Sequence, residues 1–202
     1  MKIKGIKNIE FLAKGKRSNV YRGEYKRTKV AIKIFKTKDS KERAKKEANF
    51  ITILNKNNIG PKLIFQKDNY IVYKLIEGSK FIDWINENNK KIILKIISEI
   101  LFMCYKMDSL KINKLELTNP KKHILIENNK PIFIDFERCY YTNNPKNLTQ
   151  FCQYISSKKM SIILKSKSIH INKRKLIGLL RLYKKTINHS NFKLINEFIE
   201  KN

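Results

Sequence analysis

The sequence predicts a two-lobed α/β (α+β) protein, in which an antiparallel sheet carrying one helix precedes a mainly helical half. Three observations lead there. Short β-branched and aromatic runs crowd residues 9 to 75. Beyond Phe81 the apolar residues recur at spacings of three and four instead. Between the two patterns, Ile76-Glu77-Gly78-Ser79 breaks both, which sets the expected lobes at residues 1–76 and 77–202.

In the first lobe, Phe11-Leu12 leads into a turn at Ala13-Lys14-Gly15-Lys16-Arg17-Ser18-Asn19-Val20, then into Tyr21 to Tyr25 and Val30 to Phe35. A turn of small residues lets backbone N–H groups approach phosphate oxygens, although Gly15 is its only glycine. Lys33 lies inside an otherwise apolar strand, so it needs either a strand edge or a partner. Ser40 is a candidate cap for a helix through Ala44, Glu47, Phe50, Ile51 and Leu54, ending near Asn57-Asn58-Ile59-Gly60-Pro61. Glu47 falls beside the apolar face of that helix and is the natural partner for Lys33. If Lys33 then faces a cleft, Lys33→Ala weakens ligand binding and spares the fold. Lys62 to Phe65 and Tyr70 to Leu75 complete the strands.

The second lobe opens with Phe81-Ile82-Asp83-Trp84-Ile85. Its main helix carries Ile92, Ile93, Ile96, Ile97, Ile100, Leu101 and Cys104 on one face. Two β-branched runs follow, Ile124-Leu125-Ile126 and Ile132-Phe133-Ile134, with turn chemistry at Glu127 to Pro131. Pairing them as a hairpin is expected to bring Asp135 toward Glu116, and two carboxylates beside basic residues suit a magnesium-nucleotide site. An ordinary surface hairpin with stray acids is the competing reading. Residues 138–145 read as irregular. Asn147 with Gln150 resembles a capping box for a helix through Phe151, Tyr154 and Ile155, and a further helix begins near Asn172.

Composition narrows the setting. Three scattered cysteines, Cys104, Cys139 and Cys152, have neither metal spacing nor an even number, which points to a reducing, cytoplasmic environment. No export signal or membrane span is expected, since the greasiest stretch, Ile92 to Tyr105, contains Lys95 and Glu99. The net charge of +28 favours a polyanionic partner, yet a Lys-, Ile- and Asn-rich codon bias produces the same excess. Its distribution is more telling. Residues 138 to 196 hold 13 Lys and Arg and no acid, and the helix from Asn172 carries Lys173, Arg174, Lys175, Arg181, Lys184 and Lys185 around an apolar stripe.

In order, the phosphate turn, strand lysine, helix glutamate, hinge, long helix, acidic loop and Asp-Phe resemble a very compact protein kinase over residues 10 to 155. Val30-Ala31-Ile32-Lys33 matches the V-A-I-K strand motif and Ile134-Asp135-Phe136 the start of D-F-G. More narrowly, Glu47-Ala48, Asn58-Ile59-Gly60-Pro61-Lys62-Leu63, Glu77-Gly78, Glu116-Leu117, Pro120-Lys121-Lys122-His123 and Ile134-Asp135-Phe136-Glu137 resemble short predicted Ser/Thr kinases, mostly archaeal. These are similar to the RIO kinases and to the small kinase of the KEOPS tRNA-modifying complex.

The resemblance implies ATP with Mg²⁺ or Mn²⁺ as cofactors. Gly15, Ser18 and Val20 would cover the nucleotide, and Lys33 would meet its α/β-phosphates with Glu47 as brace. Ala31 would line the adenine slot, and backbone groups of Lys74 and Ile76 would meet the adenine edge. Asp135 would hold the metal, with His123 near the second metal position and Glu116 at the catalytic-loop acid. The departures are specific. One glycine remains of three, Lys114-Leu115-Glu116 replaces H-R-D, and His123 follows Glu116 by seven residues where an Asn is due at five. Glu137 replaces the D-F-G glycine and would add a carboxylate near the metal, and no A-P-E occurs. The expected function is ATP-dependent phosphoryl transfer or slow ATP hydrolysis. The alternatives are a pseudokinase scaffold and an RNA-binding module, with tRNA or rRNA docking on the basic C-terminal half; the sequence leaves a protein substrate or complex partner unnamed.

Overall fold

A computed structural model describes residues 2–202. The chain forms two compact units, Met1–Glu77 with Ile132–Arg138, and Gly78–Pro131 with Cys139–Asn202. The fold is mixed α/β, with an antiparallel sheet in the first unit and seven α-helices in all among the described residues.

In the first unit, β1 (Ile6–Lys14), β2 (Ser18–Tyr25) and β3 (Thr28–Phe35) form a meander. Helix α1 (Ser40–Asn55) follows, then β4 (Leu63–Lys67) and β5 (Tyr70–Lys74). The strand order is β1-β2-β3-β5-β4, so β3 is central. The period-2 alternation of β3 sorts its residues by face. Val30 and Ile32 join Ile6 and Val72 in one cluster. Ala31, Lys33 and Phe35 alternate with them and so lie on the opposite face, where Lys33 meets α1. Ser40 does not cap α1 as expected. Asp39 holds the cap position without a side-chain cap bond, and its carboxylate instead pairs with Arg43 at 2.7 Å.

The second unit starts with β6 (Ser79–Lys80), α2 (Phe81–Glu87) and α3 (Lys90–Ser109). The expected helical run is split because Asn88 and Asn89 are extended, and the Asn89 side chain caps α3 by accepting from the Ile92 N–H. Then come β7 (Ile112–Lys114), a 3-10 helix (Leu115–Thr118), β8 (Ile124–Glu127) and β9 (Lys130–Phe133). The hairpin turn is tighter than the sequence indicated. Only Asn128 and Asn129 lie outside the strands, both at positive φ, while Pro131 sits in the edge strand β9, where no N–H is missed. Gly78 passes so close to β8 that a Cβ there would run into the Ile126 carbonyl.

Residues 138–145 are not wholly irregular, because β10 (Cys139–Tyr141) pairs with β7. Four helices close the chain: α4 (Asn147–Ile155), α5 (Lys158–Ser166), α6 (Lys173–Lys185) and α7 (His189–Glu200), of which α5 and α7 had no sequence reading. The capping-box reading of Asn147 is also corrected. Asn147 is fully buried, its Oδ1 accepts the Lys114 N–H at 2.8 Å, and its Nδ2 donates to Asp108 and to the Ile112 carbonyl. The α4 N-terminus is satisfied from α3, since the Asp108 carboxylate accepts the N–H groups of Asn147 and Leu148 and the Tyr183 hydroxyl besides. Burial pushes the Asp108 carboxyl up to about 6, offset in part by these donors. The three cysteines are buried, and no helix among the described residues is long and apolar enough to cross a membrane.

Candidate functional site

Lys33 is not an edge-strand lysine. It lies on the central strand, and only 4% of its surface is exposed. A buried ammonium needs paired acids to offset its desolvation. Its Nζ donates to Glu47 Oε2 at 2.7 Å and to Asp135 Oδ1 at 2.8 Å, and stands 3.7 Å from Glu137 Oε2. Burial opposes the lysine's charge, but Glu47 and Asp135 outweigh it and hold its pKa above the usual value. Glu47 is equally buried, on the face of α1 formed by Ala44, Ala48 and Ile51. Burial raises its carboxyl, with Lys33 opposing and Asp135 adding to the rise. Its second oxygen accepts the Phe136 N–H at 3.1 Å, so one glutamate braces the lysine and fixes the backbone after Asp135.

Asp135 adopts φ of +64°, a left-handed conformation that aspartate tolerates better than most residues. Strain at such a position costs about 1–3 kcal/mol and persists only where the surroundings impose it. Here Phe136, fully buried, does so from the next position. Its ring lies against Gly60, where a Cβ would come within 2.8 Å, and Gly60 itself has φ of +84°. The Asn58-Ile59-Gly60-Pro61 turn therefore needs glycine both for its backbone and for the aromatic ring it receives.

Glu137, expected from its place in the D-F-G motif to add a carboxylate near the metal, is also a junction between cations. Its Oε1 accepts from Arg17 Nη1 at 3.2 Å and from Arg43 Nη1 at 3.1 Å, while its Oε2 faces Lys33. Arg17 comes from the short turn after β1. That turn is pinned by Gly15 N–H to the Ser18 carbonyl at 2.8 Å and by Lys36 N–H to the Arg17 carbonyl at 2.9 Å. Of the other residues named from sequence, Ser18 is buried opposite Phe35, Val20 lies opposite Lys33, and Ala31 opposite Tyr73. Tyr73 was missed; burial raises its hydroxyl pKa, with Lys33 opposing. The Lys74 N–H is taken by the Lys62 carbonyl at 2.9 Å, and Ile76 follows the end of β5.

Glu116 and His123 belong to the second unit. Glu116 sits in the 3-10 helix, its Oε2 3.3 Å from the fully buried Lys114 Nζ. His123 closes a turn through its N–H on the Pro120 carbonyl. The carboxylates gathered with Asp135 are Glu47 and Glu137, with ligand oxygens within 4.8 Å of one another. An all-oxygen set of this kind fits a hard cation such as Mg²⁺, and Asp135, 39% exposed at its side chain, is the member open to one. On α6, Leu176, Leu180 and Tyr183 are buried, while Lys173, Arg174, Lys175, Arg181, Lys184 and Lys185 are all exposed.

No family model matches the chain, and no curated protein matches it in sequence. Solved structures do match in fold. One is the Rio2 kinase–ADP/Mg²⁺–phosphoaspartate complex from Chaetomium thermophilum, with a TM-score of 0.62 at 14% identity over 98% of this chain. The match covers 63% of that kinase's own length. The architecture is thus a RIO-like kinase fold, and at this identity the likeness is one of fold.

Proposed function

We propose that the chain binds ATP with a divalent metal and either transfers its terminal phosphoryl group or slowly hydrolyses it. The observation that carries this reading is the buried Lys33 held between Glu47 and Asp135 in a kinase-like fold. A lysine fixed in this way presents a full positive charge without the entropy of a free side chain, and stabilises the charge on the phosphates. Residues 1–76 would serve as the nucleotide-covering lobe, with Gly15, Ser18, Val20 and Ala31 around the ligand. The Lys74 carbonyl and the Ile76 backbone would meet the base. Residues 77–202 would form the second lobe, where Glu116 orients the attacking oxygen. Asp135 would hold Mg²⁺, with His123 as the weaker candidate because an imidazole nitrogen suits Mg²⁺ less well than oxygen. Bound there, the metal would neutralise phosphate charge. The Rio2 structure is described with ADP and Mg²⁺, which supports the same ligand class here. Calorimetric titration with ATP tests the reading. Binding that strengthens with Mg²⁺ and falls on Asp135→Asn is expected; metal-independent affinity, equal in parent and variant, overturns it.

A second reading concerns structured RNA. The six basic residues of α6 are exposed, and none forms an ion pair among the described residues. Such a stripe suits a phosphate backbone, and binding would weaken steeply with added salt.

A further inference from the structure

The Glu137 carboxylate has an unusual set of neighbours. Its side chain is 9% exposed, and both its oxygens face cations contributed by three separate elements: Lys33 from β3, Arg43 from α1 and Arg17 from the turn between β1 and β2. Oε1 already takes two guanidinium donors, which fills its lone-pair directions and leaves Oε2, 3.7 Å from Lys33 Nζ, as the one oxygen a metal could use. The group therefore acts as an anion bridging three cations, and that is also the chemistry of a phosphate group. Arg17 is separated from Lys33, the proposed phosphate lysine, by the width of this one carboxylate.

We propose that Lys33, Arg17 and Arg43 form a seat for a nucleotide phosphate group, and that Glu137 competes with that phosphate for the same three cations. The proposal rests on the nucleotide reading above and deepens it by adding Arg17 and Arg43 to the binding residues. The charges are consistent with it. Lys33, Arg17 and Arg43 face Glu47, Asp135, Glu137 and Asp39, a formal sum of −1 that becomes zero once Glu137 is neutralised. In a chain of net charge +28, removing that local anion favours an incoming phosphate. Arg17 is the less tightly held partner of the seat, because it is 39% exposed at its side chain and has no second acid among the described residues, whereas Arg43 is also held by Asp39. Arg17 is thus the residue to exchange Glu137 for a phosphate oxygen, and its planar fork suits that exchange better than a lysine would.

The test is calorimetry with sodium tripolyphosphate and with ATP, each in EDTA and in Mg²⁺, on the parent and on Glu137→Gln, Glu137→Asp and Arg17→Ala. Thermal unfolding is run in parallel, so that Glu137→Asp, which only retracts the carboxylate, serves if the Gln variant does not fold. Glu137→Gln is expected to tighten tripolyphosphate binding by about fivefold, with Glu137→Asp intermediate, because a competitor has gone. Arg17→Ala is expected to weaken it about tenfold, the loss of one charge-assisted hydrogen bond. Weaker binding in Glu137→Gln, confined to Mg²⁺, would make Glu137 a metal ligand and overturn the proposal. Unchanged affinities in all variants would overturn it too, leaving the nucleotide reading intact if ATP still binds. Tripolyphosphate binding with the expected variant effects but no ATP binding would sustain the seat and sink the nucleotide reading. If neither ligand binds, both fall.

Discussion

Replacing Lys33 with methionine keeps the stem of the side chain and removes its charge, and the structure sets the cost. Glu47 is 1% exposed and would keep only the Phe136 N–H as a partner, with Asp135 and Glu137 oxygens within 4.8 Å of its own. Leaving one member of a buried pair uncompensated costs about 3–5 kcal/mol. Asp135, 39% exposed, adds no more than about 0.5 kcal/mol once solvent screening is allowed for. The cleft-facing lysine expected from sequence, whose removal spares the fold, is therefore replaced by one whose removal destabilises it. Glu47 can escape the penalty by taking a proton, since burial already raises its pKa above the ordinary 4.5. In the variant the folded state then holds more protons than the unfolded one. Stability accordingly falls as pH rises above that unfolded value, by up to about 1.4 kcal/mol per unit. Urea unfolding followed by far-ultraviolet circular dichroism should show Lys33→Met losing more at pH 7.5 than at pH 5.5. Lys33→Met with Glu47→Gln should regain at least about 2 kcal/mol at the higher pH, through relief of the unpaired charge. A loss below about 1 kcal/mol, or an equal loss at both pH values, would refute the buried-pair account.

Three further outcomes are expected. Asp135→Asn should remove the metal dependence of nucleotide binding, whereas Glu116→Gln should keep it and lose turnover; parent-like turnover in the latter makes Glu116 structural. Asp108 has its carboxyl raised to about 6 from 3.8, so the folded state holds the extra proton between those values. Stability should then drop by about 2 kcal/mol from pH 4 to 6. Asp108→Asn should abolish that slope and cost about 1–3 kcal/mol at pH 7, because its amide would face donors from Asn147, Leu148 or Tyr183. Charge reversal at Lys173, Arg174, Lys184 and Lys185 should remove low-salt binding to tRNA or rRNA fragments, read by fluorescence anisotropy, and leave ATP affinity unchanged; no binding by the parent ends the RNA reading.

The sheet and α1 were legible because their signals are local: period-2 runs in β2, β3 and β5, and an apolar face at helical spacing in α1. Lys33 and Glu47 stood out as charges at positions whose neighbours are apolar, and the structure joins them at 2.7 Å. Glu137 was marked only by its place in the D-F-G motif, not by its partners. Its importance comes from Arg17, 120 positions earlier, and Arg43, 94 positions earlier, and no periodicity encodes that convergence. The same holds for Asp108, which lies within a helical stripe yet completes the α4 N-terminus about 40 residues on. Asn147 was misread for this reason: the spacing to Gln150 fits a local cap, but the real acceptor is remote. The short β7 and β10 were missed because three residues are too few for alternation to show.

The most direct test of the central claim is transfer from ATP labelled at its terminal phosphate. Purified protein is incubated with Mg²⁺ or Mn²⁺, and both free phosphate and label on the protein are followed, in the parent and in Asp135→Asn. The account predicts metal-dependent release or transfer by the parent that is lost in the variant. No release and no transfer by the parent under conditions where it binds ATP, or equal rates in parent and variant, would contradict it.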